Sequence, residues 1–240
     1  MPQGKVALVT GSAKRTGKAI AQELARCGAE VIVHYNKSEE EALQVSKQLT
    51  QMGGQSYPLR ADLSQPSQIE EMCLRAVERS GRIDILVNNV GTYLVKDIEK
   101  VTPGEWEHQM NTTVNATFYM CRAVLPLMVE QKFGRIINLA DSCADIITAW
   151  PKWTPYMVGK TGVLILSKSL AVKYAKHNIT VNCVSPGIID NSIWKPELED
   201  IPAGRFAQYS DITNAILFLV KEKSSYITGA NLKVTGGWYV

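Results

Sequence analysis

Short apolar runs alternate with longer stretches of helical period along almost the whole chain, and this alternation restricts the fold more than any other feature. The runs are Val6–Val9, Glu30–His34, Gln55–Arg60, Ile83–Val87, Gly134–Leu139, Ile179–Val184 and Asn231–Thr235. Between them the spacing predicts helices over Gly17–Cys27, Glu39–Met52, Pro66–Ser80, Gly104–Gln131, Pro155–Lys176 and Asp211–Lys221. Strands that alternate with helices build a parallel sheet covered on both faces. Several runs, Val6–Val9 and Ile85-Leu86-Val87 among them, show no polar alternation, as strands buried on both faces require. Right-handed crossovers then give an α/β fold, a single doubly wound parallel sheet of about seven strands that binds ligands beyond its C-terminal strand ends. No repeat, linker or low-complexity stretch interrupts the pattern, so residues 1–240 are expected to form one domain. The long loops at 141–155 and 186–209 should lie on the ligand side.

The first run leads into Thr10-Gly11-Ser12-Ala13-Lys14-Arg15-Thr16-Gly17 and straight on into a helical stretch. A helix start presents unpaired N–H groups and the positive end of a dipole, and glycine admits a phosphate close to the backbone. Lys14 and Arg15 add two cations. Such a turn also serves as a purely structural joint, and both readings stand at this point. A net charge of +3 with no basic tract argues against nucleic-acid and membrane surfaces. No apolar run is long enough to span a bilayer. The residues before the first strand leave no room for a signal peptide. The five cysteines, Cys27, Cys73, Cys121, Cys143 and Cys183, are scattered without metal-ligand spacing. They read as reduced core residues of a cytoplasmic protein, and His34, His108 and His177 are too far apart in sequence to point to a metal. The expected partner is a small molecule, with no nucleic acid, membrane or metal.

The second strand ends in His34-Tyr35-Asn36-Lys37-Ser38. In a dinucleotide fold this edge faces the adenosine ribose, where an acid suits NAD and a cation suits the extra phosphate of NADP. Lys37 and Ser38, with Lys14 and Arg15 across the crevice, favour NADP(H) over a merely solvated turn. Asp62, followed by Leu63 after the third strand, fits an acceptor for the adenine amino group and equally a turn residue. Tyr156 and Lys160 stand one helical turn apart and project from one helix face. An ammonium beside a phenol is expected to lower its pKa and suit it to proton transfer.

Together these residues resemble the short-chain dehydrogenase/reductase family over essentially the whole chain. The matching elements are Thr10-Gly11 with Gly17, Asn88-Asn89-Val90-Gly91, Gly134-Arg135-Ile136-Ile137-Asn138, Tyr156 with Lys160, Ser185-Pro186-Gly187 and Ile227-Thr228-Gly229. The resemblance implies a Rossmann-like sheet, a homotetramer or homodimer built partly from the Gly104–Gln131 and Pro155–Lys176 helices, and Tyr156 as general acid. Lys160 would bind the nicotinamide ribose and tune the tyrosine, and Asn88 with Gly91 would support the cofactor. The cofactor would lie against Gly11, Lys14, Arg15, Thr16, Gly17, His34, Tyr35, Asn36, Lys37, Ser38, Asp62, Leu63, Asn89, Val90, Gly91, Pro186, Gly187 and Ile188.

Departures from the family pattern refine this picture. Arg15 stands where a middle glycine is usual, and Asp141 takes the position of the catalytic serine. Both features are similar to the pteridine reductase branch. An ionised carboxylate would repel charge building on a substrate oxygen, so Asp141 either stays protonated or accepts N–H groups of a heterocycle. Ser142 is the alternative hydroxyl. Thr113 occupies the place of the family's helix asparagine, keeping the backbone through which that residue is thought to hold a relay water; Asn111 and Asn115 point elsewhere. Asn191 or Ser192 would meet the carboxamide. Trp150, Trp153 and Trp194 would either stack on a flat substrate or pack as a lid. The expected activity is NADPH-dependent reduction of a C=O or C=N bond, on a dihydropteridine-like heterocycle. The alternative, carried by Pro202-Ala203-Gly204-Arg205, is a 3-oxoacyl-(acyl-carrier-protein) reductase. A non-catalytic NADP-binding sensor is the remaining reading.

Overall fold

Strand β1 (Val6–Val9) has no polar residue and every side chain is buried, which places it inside a sheet rather than at an edge. A computed structural model describes residues 2–192 and 194–239. After β1 come α1 (Arg15–Arg26), β2 (Glu30–Tyr35), α2 (Glu39–Gln51), β3 (Ser56–Arg60), α3 (Pro66–Ser80), β4 (Ile85–Asn88), α4 (Pro103–Met110) and α5 (Ala116–Gln131). The chain continues through β5 (Gly134–Leu139), α6 (Thr154–Tyr174), β6 (Ile179–Pro186), α7 (Tyr209–Val220) and β7 (Asn231–Val234). The strands form one parallel sheet in the order β3-β2-β1-β4-β5-β6-β7. Strand order reverses between β1 and β4, and a crevice opens there at the C-terminal edge.

Alternate residues of β1 serve opposite layers. Ala7 and Val9 pack with Ile20 and Leu24 of α1, Val45 of α2 and Ile216 of α7. Val6 and Leu8 face Met72 of α3 and Met120 and Val124 of α5. Against the second layer, α6 packs Val163 and Leu164 near Ala140 and Cys183. No helix among the described residues is long and apolar enough to cross a membrane.

Element ends shift by one or two residues from expectation at most places, with one larger difference. The expected helix Gly104–Gln131 starts one residue earlier, at Pro103 behind a Thr102/Glu105 capping box, and is interrupted by a π-helical stretch, Asn111–Asn115. Hydroxyls in and just after the run Asn-Thr-Thr-Val-Asn bond to helix carbonyls around the break. The Thr112 hydroxyl donates to the His108 carbonyl at 2.8 Å, and the Thr117 hydroxyl to that of Thr113 at 2.9 Å. Such π-helical turns concentrate near functional sites.

Candidate active site

The glycine turn is held open by its neighbours rather than by its own hydrogen bonds. Gly11 takes φ +62°, in the left-handed region, and its N–H donates to His34 Nδ1 at 2.9 Å. The other ring nitrogen of His34 lies 3.0 Å from the Ala61 carbonyl, so the neutral ring accepts at one end and donates at the other. Asn89 straps the turn to β4, donating from Nδ2 to the Thr10 carbonyl at 2.9 Å. Gly17 lets α1 close on the turn: a Cβ there would lie 2.3 Å from the Gly11 carbonyl oxygen. The first turn of α1 carries no acidic side chain, which leaves its N-terminus suited to an anion.

His34 lines the groove but works as a buried brace. Burial lowers its pKa from 6.5 to about 4. The neutral ring is the folded form, so its contribution is complete above pH 6.5 and is lost as pH falls towards 4. The shift corresponds to about 3 kcal/mol. Urea unfolding at a series of pH values should show this acid loss in the wild type and a shallower loss in His34→Gln; parallel curves would refute the assignment.

Two cavities follow the C-terminal edge of the sheet. One, of about 310 Å³, is lined by Gly11, Lys14, the 34–38 segment, Asp62, Leu63 and Val90. The other, of about 300 Å³, is lined by Arg15, Thr16, Asn89, Gly91, Tyr93, Asp141, Tyr156, Lys160, the 186–189 segment, Asn191, Ser192 and Trp194, among others. The predicted site residues thus gather around two adjoining hollows, apart from Gly17, which shapes the turn from behind, and Thr113. Thr113 is buried behind the second cavity, with its hydroxyl accepting from Gln109 and its carbonyl from Thr117. Asn88, expected to support the cofactor, instead lies within the sheet and donates to Asn138 Oδ1 at 2.8 Å.

Around the first cavity, the Lys14 ammonium bridges Glu41 at 2.6 Å. Asp62 is a turn residue as well as a lining one: Oδ1 accepts from the Ser64 N–H and hydroxyl, and these bonds hold its pKa down. Arg15 adopts φ +51° in the region usually left to glycine, and its guanidinium reaches across the second cavity to the Asn191 carbonyl at 3.0 Å.

In the second cavity, α6 presents Tyr156 and Lys160 together. The Tyr156 phenol donates to Asp141 Oδ2 at 2.9 Å, while Asp141 Oδ1 accepts the Cys143 N–H at 2.9 Å. Ser142 is buried, with Oγ 3.6 Å from Cys143 Sγ, and is not part of the cavity wall; Asp141 occupies the wall. Lys160 is buried and donates to the Leu139 carbonyl at 2.6 Å. The expectation that Lys160 lowers the Tyr156 pKa is not met. Burial and the adjacent Asp141 carboxylate push the phenol well above 10, and burial lowers the Lys160 ammonium. The ammonium lies 5.9 Å from the ring centroid and is spent on a carbonyl, so the nearest charge to the phenol is negative. Tyr156 thus stands in the cavity wall with its O–H donated to Asp141.

The 141–155 loop is anchored from outside. Lys233 Nζ bridges Asp145 at 2.8 Å and donates to the Tyr239 carbonyl at 2.7 Å. Trp150 stands edge-on to Trp153 and to Tyr239, and Trp153 edge-on to Trp194. The tryptophans thus pack on one another, and of the three only Trp194 stands in the cavity wall. Sequence reasoning missed Tyr93, whose ring meets that of Tyr156 edge-on at 4.8 Å. Its place two residues past Gly91, on the same sheet edge, was the available signal.

A family model described as enoyl-(acyl carrier protein) reductase matches residues 11–239. The chain is 34% identical over 244 residues to a 3-oxoacyl-(acyl-carrier-protein) reductase of Staphylococcus epidermidis, covering 98% of this chain and 99% of the relative. It is 35% identical over 246 residues to a (2S)-((R)-hydroxy(phenyl)methyl)succinyl-CoA dehydrogenase subunit of Thauera aromatica, covering 98% and 96%. A crystal structure from Sinorhizobium meliloti 1021, provisionally assigned as a short-chain alcohol dehydrogenase, superposes with a TM-score of 0.92 at 30% identity, covering 98% of this chain and 96% of the other.

Proposed function

Because the chain belongs to the short-chain dehydrogenase/reductase family, we propose that it is an NADPH-dependent reductase of an electrophilic carbonyl, of the 3-oxoacyl-thioester type. The observation that carries this reading is the Tyr156 phenol in the wall of the second cavity, one helical turn from buried Lys160. Two relatives are named for acyl-carrier-protein and CoA substrates, both thioesters, and this favours the ketone over the dihydropteridine.

The residues present fit a nicotinamide dinucleotide. The close approach at Gly17 and the acid-free start of α1 suit a diphosphate, and Lys14, Lys37 and Ser38 around the first cavity suit a ribose phosphate. Gly91, Pro186, Gly187 and Ile188 in the second cavity would hold the nicotinamide end. When bound, the dinucleotide supplies the hydride for the carbonyl carbon. Tyr156 delivers the proton to the carbonyl oxygen, which yields an alcohol. Lys160, held by the Leu139 carbonyl, places positive charge at the floor of the cavity. Asp141 accepts the phenol O–H in the free site, so a substrate carbonyl oxygen must take that hydrogen bond in its place. We place the protein in the cytoplasm as a homotetramer or homodimer, for which the exposed Val158, Ile165 and Val172 along α6 offer an apolar stripe.

Asp141 also supports a second reading. A carboxylate that already accepts two hydrogen bonds suits the N–H groups of a heterocycle reduced at C=N. Following NADPH oxidation with acetoacetyl-CoA and, in parallel, with a dihydropteridine tests both readings. Faster oxidation with the thioester is expected; oxidation with the dihydropteridine alone would install the second reading, and oxidation with neither would leave a binding protein. Lys37→Asp should weaken NADPH about tenfold, by calorimetry, with NADH little changed. Equal losses would remove Lys37 from the phosphate site.

A further inference from the structure

Gln109 is a glutamine in the short helix α4 whose side chain is 1% exposed. Its carboxamide makes three of its four possible hydrogen bonds. Oε1 accepts the Leu94 N–H at 3.1 Å, and Nε2 donates to the Thr92 carbonyl at 2.9 Å and to the Thr113 hydroxyl at 2.8 Å. The two backbone partners fix which end of the amide is which, since an N–H needs the oxygen and a carbonyl needs the nitrogen. The 92–94 segment belongs to no helix or strand, so Gln109 supplies hydrogen bonds that a ladder would supply elsewhere.

Between the two bonded backbone groups stands Tyr93, the edge-on neighbour of the Tyr156 ring. Tyr93 is 42% exposed, so burial does not fix it. Beside it lies a further hollow of about 290 Å³, lined by Tyr93, Leu94, Gly104, His108 and Gln109 among others. The same Nε2 that bonds Thr92 also reaches Thr113, which sits against Gly159, between Tyr156 and Lys160 on α6. Resting on the role given to Tyr156 above, we propose that Gln109 is a positioning residue. Its carboxamide holds the 92–94 segment so that Tyr93 closes the side of the reaction cavity next to the proton donor.

Loss of this tether should loosen substrate binding and spare the chemical step, because Tyr156 itself is held by α6 and Asp141. With acetoacetyl-CoA and NADPH, Gln109→Met should raise the thioester KM about tenfold, with kcat within about threefold and NADPH affinity unchanged. A thioester KM within twofold of wild type, or a fall in kcat at constant KM, would overturn the proposal. Gln109→Glu, whose buried carboxyl keeps its proton, still offers one acceptor and one donor and should stay within about threefold of wild type. Equal impairment of the two variants would also overturn it. Amide hydrogen exchange over 92–98 gives a readout that needs no turnover. Protection should fall in Gln109→Met and persist in Gln109→Glu. If the wild type reduces no thioester, the carbonyl-reductase reading fails, and exchange decides alone: unchanged protection in Gln109→Met would end the positioning role.

Discussion

Tyr156→Phe should cut carbonyl reduction by about a thousandfold, within the range a positioned general acid contributes, and leave dinucleotide affinity within about twofold. The substitution removes a single oxygen. The ring that Tyr93 packs against is retained, and so is the helix that carries it. Asp141 loses one donor and keeps the Cys143 N–H, and its other oxygen faces the cavity, where water can replace the phenol. The fold should therefore persist, and the loss should fall on kcat. Steady-state rates with acetoacetyl-CoA, paired with NADPH binding by fluorescence, would measure both effects. More than a tenth of wild-type turnover in the variant would mean that the proton comes from another group.

Gly17→Ala should nearly abolish dinucleotide binding. In an open helix position, alanine gains about 1 kcal/mol over glycine. At position 17 the added methyl would lie 2.3 Å from a backbone oxygen and 2.7 Å from Asn89 Nδ2, so the turn or the helix must move. Overpacking of this kind costs about 1–3 kcal/mol, which roughly offsets the propensity gain. The displacement falls on the turn and on the Asn89 strap, where the diphosphate would lie, so affinity should drop by about a hundredfold while the melting temperature changes by only a few degrees. Gly104→Ala is the control: a Cβ there meets nothing within 4 Å, and that variant should bind normally. Normal binding in Gly17→Ala would remove the turn from the cofactor site.

The sheet was legible because runs such as Val6–Val9 and Gly134–Leu139 are buried on both faces and carry no other pattern. Helix boundaries were less so. The interruption at Asn111–Asn115 comes with side-chain bonds to the preceding turn, which leave the hydrophobic period of Gly104–Gln131 nearly intact. The site was readable wherever a residue sits at the end of a strand, as Gly11, Asn89 and Pro186 do. It was unreadable where a loop brings partners together. Nothing in the spacing of Asp141 and Tyr156 shows that one accepts a hydrogen bond from the other, and burial together with that contact reverses the expected direction of the phenol's pKa. His34 was found by its position at the groove, but its bonds to Gly11 and Ala61 were not legible, because a ring aimed at them looks the same in sequence as one aimed at a nucleotide.

Arg15 sets two selective pressures against each other. A side chain held at φ +51° carries strain of about 1 kcal/mol or more that glycine would not. Evolution for heat tolerance alone would drift that codon to glycine. Retention of arginine in lineages that live hot would mean that the span to Asn191 is worth more to the organism than the margin of stability forgone.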